Sequence, residues 1–225
     1  DRDKIVNVLL WFVINEKQVE RYHEFKRLAR FKPSNSMDRA YTSVATPILN
    51  QLGYDLTIAA KWGRLDFCVA REQEVASVWQ HFASGKHGVI MVGPAGVGKR
   101  TIIEGIAQLM VAENVPKFLQ DKRLVEIDGA RLVSGASPAE AQGRLMSALD
   151  EAMRAGNIIL YVNNLEQLVG ITSGSEDSLD LAGVLASTIE RRQLYCLATA
   201  NQEQYAKHIE NNALGNVLAK VAVNE

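Results

Sequence analysis

"GVIMVGPAGVGKR", Gly88 to Arg100, is the stretch that decides the fold. An apolar run of strand length ends at Gly93, a loop of small residues follows, and Lys99 opens a segment with helical spacing. The loop fits G-x-x-x-x-G-K, with Gly93, Gly98 and Lys99 in place. A strand–loop–helix unit of this kind turns its backbone N–H groups inward, and the helix N-terminus adds positive potential. A polyphosphate suits such a cradle. Gly93, Pro94, Ala95, Gly96, Val97, Gly98, Lys99, Arg100 and Thr101 are therefore the candidate nucleotide contacts, with Lys99 reaching the β- and γ-phosphates. The position after Lys99 departs from the pattern. A Ser or Thr hydroxyl ligates Mg²⁺ there, and this chain has Arg100. Thr101 does not repair the loss, because one helical step turns a side chain by about 100°. Arg100 is expected to point into solvent rather than to set its own cation beside the phosphates.

The second informative stretch is "NIILYVNNLEQLVG", Asn157 to Gly170. It reads as a buried strand running into a loop. In a phosphate-loop ATPase this strand ends in an Asp that holds the metal, followed in many by a Glu that polarises the attacking water. Here the two positions are Asn163 and Asn164. A neutral amide is a weaker ligand for a hard cation, and it cannot take a proton as a general base. Local capping of the loop is the plainer role for both, since Asn forms such turns readily. Glu166 follows two positions later, at a loop or helix start, and need not face the phosphate.

Outward from these two stretches, short apolar runs alternate with helical ones. Strands are predicted at 88–93, 124–128, 157–163, 194–199 and 217–223. Helices are predicted at 47–62, 72–83, 99–112, 139–155, 178–191 and 202–210. Alternation of this kind makes an α/β fold: a parallel sheet with helices on both faces. Residues 1–32 differ, with apolar residues at helical spacing from Ile5 and 8 Lys/Arg against 5 Asp/Glu. They read as a helical arm joined through "KPSNSMD", giving an arm and linker over 1–41 and a nucleotide-binding body over 42–225.

A formal net charge of −1 on 225 residues gives no basic face, so no nucleic-acid partner is expected. The longest apolar run, Ile5 to Ile14, is too short to span a bilayer, and no membrane partner is expected. Cys68 and Cys196 lie far apart, which fits a reducing, cytoplasmic compartment. The chain starts without Met and is expected to be a fragment. His23, His81, His87 and His208 are scattered and offer no metal site. Ser134 and Ser137 have no His placed to activate them.

With these motifs in order, residues from about Ala45 to Glu225 resemble the first nucleotide-binding module of the Clp-type AAA+ unfoldases and disaggregases. The resemblance runs through "TPILNQLGYDLTIAAKWGRLDFCVAREQEV" (46–75), "NVPKFLQDKRLVEIDGARLVSGA" (114–136), "AGNIILYVNNLEQLVG" (155–170) and "RRQLYCLATANQEQYAKHIENNAL" (191–214). It implies the large subdomain of an AAA+ P-loop NTPase. The family's L-D-x-V-I-G-R-like entry segment falls on Leu65, Asp66, Cys68, Val69, Ala70 and Arg71, so Cys68 and Val69 become candidate adenine contacts. The resemblance also implies an ATP-driven hexamer that threads polypeptide through a pore, with ring partners of its own or a related kind and a protein client.

The working parts depart from that pattern. The loop carrying the family's pore aromatic reads "ASPAE" (136–140). The polar sensor of the fourth strand falls on Ala200, with Asn201 beside it. The arginine-finger region reads "ALGNVL" (213–218), and the small helical lid is not within the chain. Fold-determining positions persist while metal ligand, base, sensor and finger are replaced. The expected function is a nucleotide-holding scaffold or regulatory module of a protein-remodelling machine, with ATP or ADP as ligand, Mg²⁺ doubtful and hydrolysis poor or absent. A slow ATPase and a regulator docking partners through its helical arm are the alternatives.

Overall fold

The computed structural model describes residues 45–127, 132, 135, 137–166 and 181–224. The chain divides into Asp1–Ser36 and Met37–Glu225, and every described residue belongs to the second unit. The arm expected over 1–41 lies outside the described residues.

The described elements are α1 (Pro47–Leu52), β1 (Gly53–Asp55), α2 (Leu56–Lys61), α3 (Glu72–Ala83), β2 (Gly88–Gly93), α4 (Lys99–Val111), β3 (Arg123–Ile127), α5 (Pro138–Ala155), β4 (Ile158–Val162), α6 (Leu181–Glu190), β5 (Tyr195–Asn201), α7 (Gln202–His208), α8 (Ala213–Val217) and β6 (Leu218–Ala222). The sheet order is β1-β3-β4-β5-β2-β6. Every pairing is parallel except that of β1 with β3.

The period-two alternation of the strands divides the core into two layers. From β2, Val89 and Met91 face Ile102, Ile103 and Ile106 of α4 together with Val78 and Phe82 of α3. Ile90 and Val92 face the opposite layer, with Leu145 and Leu149 of α5 and Leu185 and Ile189 of α6. All residues of β2 and β4 are buried, as expected for a sheet covered on both sides.

The single helix predicted over 47–62 is instead two short helices separated by a strand. Gly53 lets β1 approach closely: a Cβ there would stand 2.8 Å from the carbonyl oxygens of Leu49 and Glu126. Asp55 then caps α2, its Oδ1 accepting the Ile58 N–H at 2.9 Å. Arg123 on β3 binds this corner together, donating to Asp55 Oδ2 at 2.8 Å, Asn50 Oδ1 at 2.9 Å and Thr46 Oγ1 at 3.2 Å. The N-terminus of α1 is satisfied from far along the chain, by the Glu151 carboxylate accepting from Ile48 N and Leu49 N at 3.2 and 2.8 Å. Within "ASPAE", Ser137 to Glu140 cap and open α5 rather than forming open loop: Ser137 and Glu140 make a capping box.

At the N-terminal end of the strands, His87 stacks on Tyr195 with ring centroids 4.3 Å apart. Burial pushes the His87 pKa below its ordinary value, and the nearby charges of Arg192 and Lys122 add to this against a hydrogen bond to the Leu194 backbone. The unfolded chain therefore takes up a proton at a pH where the folded chain does not. Stability should be full above about pH 6.5 and fall as pH drops below it. Denaturant melts between about pH 7.5 and about pH 5.5 should show a shallower decline for His87→Phe than for the parent.

Candidate functional site

Parallel pairing brings the C-terminal ends of β4, β5 and β2 side by side, in that order. The loop after β2, the end of β5 and the turn after β4 thus share one edge of the sheet, where open α/β sheets bind ligands.

The loop after β2 has the geometry that its sequence requires. Gly96 and Gly98 adopt φ 82° and 88°, left-handed conformations that a side chain would strain. Gly93 has no room for one, since a Cβ would lie 2.2 Å from the Val223 carbonyl oxygen. Arg71 holds the loop from the entry segment, donating to the Val97 carbonyl at 3.1 Å, the Asn224 carbonyl at 2.6 Å and Glu74 at 2.9 Å. Lys99 folds over the loop and donates to the carbonyls of Gly93 and Pro94 at 2.8 and 2.7 Å. Desolvation lowers its pKa, and the opposing influence is the negative charge of Glu166. Glu166, set aside on sequence grounds, therefore lies within electrostatic reach of the loop lysine.

Arg100 does not point idly into solvent. Its two terminal nitrogens meet the two carboxylate oxygens of Glu126 on β3 at 2.7 and 3.0 Å, and its Nε meets Glu104 on α4 at 3.0 Å. The guanidinium side chain is 48% exposed, while those of Glu104 and Glu126 are 10% and 9% exposed. Desolvation disfavours its charge, but the bonds and fields of Glu126 and Glu104 outweigh that and hold its pKa above the ordinary value. Glu104 also accepts the Asp66 N–H at 3.3 Å, and Gln108 donates to the Asp66 carbonyl at 2.9 Å, so the same helix face fastens the entry segment. Nothing in the sequence spacing marked Glu126 as a partner. Only the face alternation of β3, had it been set against the start of α4, places the two charges together.

The turn after β4 is a small hydrogen-bonded cluster. The Asn163 Oδ1 accepts from the Tyr161 hydroxyl and from Thr199 Oγ1, both at 3.0 Å. Asn164 has φ 49°, a left-handed turn that Asn tolerates, and its backbone N–H donates to Thr199 Oγ1 at 3.2 Å. Thr199, 1% exposed on β5, is thus the polar residue reaching this turn. Ala200, the expected sensor position, is fully buried and faces the apolar layer of α5 and α6. Burial holds the Tyr161 hydroxyl pKa far above its usual range, so it stays a neutral donor.

Cys68 packs on Gly105 of α4, where an added Cβ would stand 2.4 Å from the cysteine Cβ. Burial raises its thiol pKa. Ala70 adopts φ 58°, a left-handed conformation at the position where the Clp-type segment has Gly. Val69 is 78% exposed, and Phe67 is 85% exposed. A cavity of about 680 Å³ opens on the other flank of α4, against α3, with Cys68, Trp79 and Leu109 in its wall. No residue of 93–100 lines it. No helix among the described residues is long and apolar enough to cross a membrane.

Residues 89–221 match the model of the ATPase family associated with various cellular activities (AAA). The chain is 35% identical over 190 residues to the ATP-dependent Clp protease ATP-binding subunit ClpC of Staphylococcus aureus strain USA300, covering 84% of this chain and 23% of that protein. ClpC of Staphylococcus epidermidis is 36% identical over 190 residues, with the same coverage. The chain therefore spans about a quarter of the length of these curated relatives. Among solved structures, the Saccharomyces cerevisiae Hsp104–ADP complex matches with TM-score 0.70 and 29% identity over 79% of this chain and 25% of that one. Hsp104 in a closed state with ATPγS and casein matches with TM-score 0.71 and 28% identity, over 79% and 31%. The chain belongs to the AAA family, as a Clp-type AAA+ module.

Arg100→Thr, which puts the motif's hydroxyl back, should destabilise the fold by roughly 1–3 kcal/mol, because it leaves two mostly buried carboxylates without their cation. Adding Glu126→Ala should recover most of that loss. Urea melts of the single and double variants test this, and an unaltered midpoint for Arg100→Thr alone would contradict it.

Proposed function

From the premise of a Clp-type AAA+ module, we propose that the chain holds ATP or ADP through Gly93–Lys99 and hydrolyses it poorly or not at all. Its role is then assembly, scaffolding or regulation within a cytoplasmic protein-remodelling machine, in a ring with its own copies or with related modules. The solved relatives support the ligand and client class: Hsp104 is described with ADP, with ATPγS and with casein.

The observation that carries the reading is the pairing of Arg100 with Glu126 and Glu104 one residue beyond the loop lysine. A guanidinium has no lone pair for a metal, and this one is tied down in the place of the usual hydroxyl ligand. The Asn163 oxygen already accepts two hydroxyl hydrogens, and the amide of Asn164 has no basicity to draw a proton from water. Each missing group removes a separate contribution to cleavage, and such losses run to several powers of ten in rate. Binding requires less. It rests on backbone N–H groups, the α4 N-terminus and Lys99, all of which persist.

A slow ATPase remains the competing reading, and one observation favours it: the charge of Glu166 acts on Lys99, which leaves one acid near the loop.

ADP and ATP should each raise the thermal midpoint of the chain, and Lys99→Ala should abolish the rise. Steady-state phosphate release should fall well below about one turnover per second. Midpoints unmoved by either nucleotide would remove the binding claim, and brisk release would remove the claim of impaired cleavage.

A further inference from the structure

Glu166 has an oxygen that no described residue satisfies. The residue sits just past the Asn163–Asn164 turn, in the first helical residues after β4. Its Oε2 is shut off from solvent and has no hydrogen-bond partner among the described residues. A buried, unpaired carboxylate oxygen is costly, and in native proteins it usually marks a missing water, ion or ligand. Neither cation of the loop meets the need. Lys99 donates two hydrogens to the carbonyls of Gly93 and Pro94, and Arg100 is committed to Glu126 and Glu104. The negative charge is nonetheless near enough to Lys99 to oppose the lowering of its pKa. Glu166 follows β4, whose C-terminal end shares the sheet edge with that of β2 through β5, so the unused oxygen belongs to the phosphate-loop side of the sheet.

Resting on the reading of this loop as a nucleotide site, we propose that Glu166 is the carboxylate that receives the divalent cation accompanying the nucleotide. It does so in place of the hydroxyl and Asp ligands that Arg100 and Asn163 have displaced. The chemistry of the donor fits: Mg²⁺ is a hard cation that commonly takes one or two carboxylates and completes its shell with phosphate oxygens and water. Among the described residues no group of three or more His, Cys, Asp or Glu could form a cage, so the ion assigned to Glu166 draws its other ligands from phosphate and water. The ion is shared with the ligand. The same placement separates cation binding from cleavage, since one carboxylate spent on a metal is not free to activate water.

The test is calorimetry of the full chain with ADP, in Mg²⁺ and in EDTA, for the parent, Glu166→Gln, Glu166→Asp and Asn163→Ala. In the parent, Mg²⁺ should tighten ADP binding by about tenfold. Glu166→Gln should reduce that gain to less than about twofold while binding ADP in EDTA at least as well as the parent, because it removes a negative charge near the phosphates. Glu166→Asp, which keeps the carboxylate, should retain part of the gain, and Asn163→Ala should retain all of it. With Mn²⁺ as probe, electron paramagnetic resonance should show a bound ion in the parent with ADP and none with Glu166→Gln. An equal Mg²⁺ gain in the parent and Glu166→Gln, loss of the gain in Asn163→Ala, or ADP binding in the parent indifferent to Mg²⁺ would each overturn the proposal and leave the nucleotide reading standing. No ADP binding under any condition would overturn both.

Discussion

One guanidinium group governs the reading of this module. Arg100 stands immediately after the phosphate-loop lysine and is gripped by Glu126 from β3 and Glu104 from its own helix. Two carboxylates about one-tenth exposed depend on it for their counter-charge, so the arginine cannot leave without cost. The pairing also joins the start of α4 to the sheet, and through Glu104 and Asp66 to the entry segment. A substitution that looks like a single lost hydroxyl in the sequence is thus part of a three-residue charge arrangement. That arrangement anchors the start of α4 and sets a guanidinium where the loop pattern usually has a hydroxyl.

The rest of the phosphate edge follows the same division between shape and chemistry. Features that fix backbone geometry are intact: the left-handed glycines, the close approach at Gly93, and the Arg71 tether on the loop. At the turn after β4 the polar groups satisfy one another, as Asn163, Tyr161 and Thr199 do. Local satisfaction explains how the substitutions persist without damage to the fold. An amide oxygen accepting two hydroxyls at 3.0 Å is a stable end for a buried strand, whatever its history. Among the proteins the chain is similar to, ClpC is named as an ATP-binding subunit and Hsp104 is described with ADP, with ATPγS and with casein.

Much of the fold was legible from the sequence because its signals are local. The parallel strands and the helices at 72–83 and near 99–112 are marked by apolar period and by the loop glycines, and they stand where predicted. The short strand β1 was missed because three residues carry too little period to be seen. It exists only through Gly53 packing on β3 and Arg123 reaching back to Asp55. The candidate site was legible in its loop and at its asparagine turn, since both follow strands in the sequence. The partners of Arg100, the role of Thr199 in place of Ala200, and the nearness of Glu166 to Lys99 were not. Each depends on which face of one element meets another far along the chain, and spacing within a single sequence does not encode that.

The most direct measurement is a crystal structure of the chain soaked with ATP for a day or longer. The account expects an intact γ-phosphate over the loop, Lys99 turned from the Gly93 carbonyl to the phosphates, and Arg100 still paired with both oxygens of Glu126. A cleaved nucleotide with Arg100 swung off Glu126 onto the phosphates would contradict it.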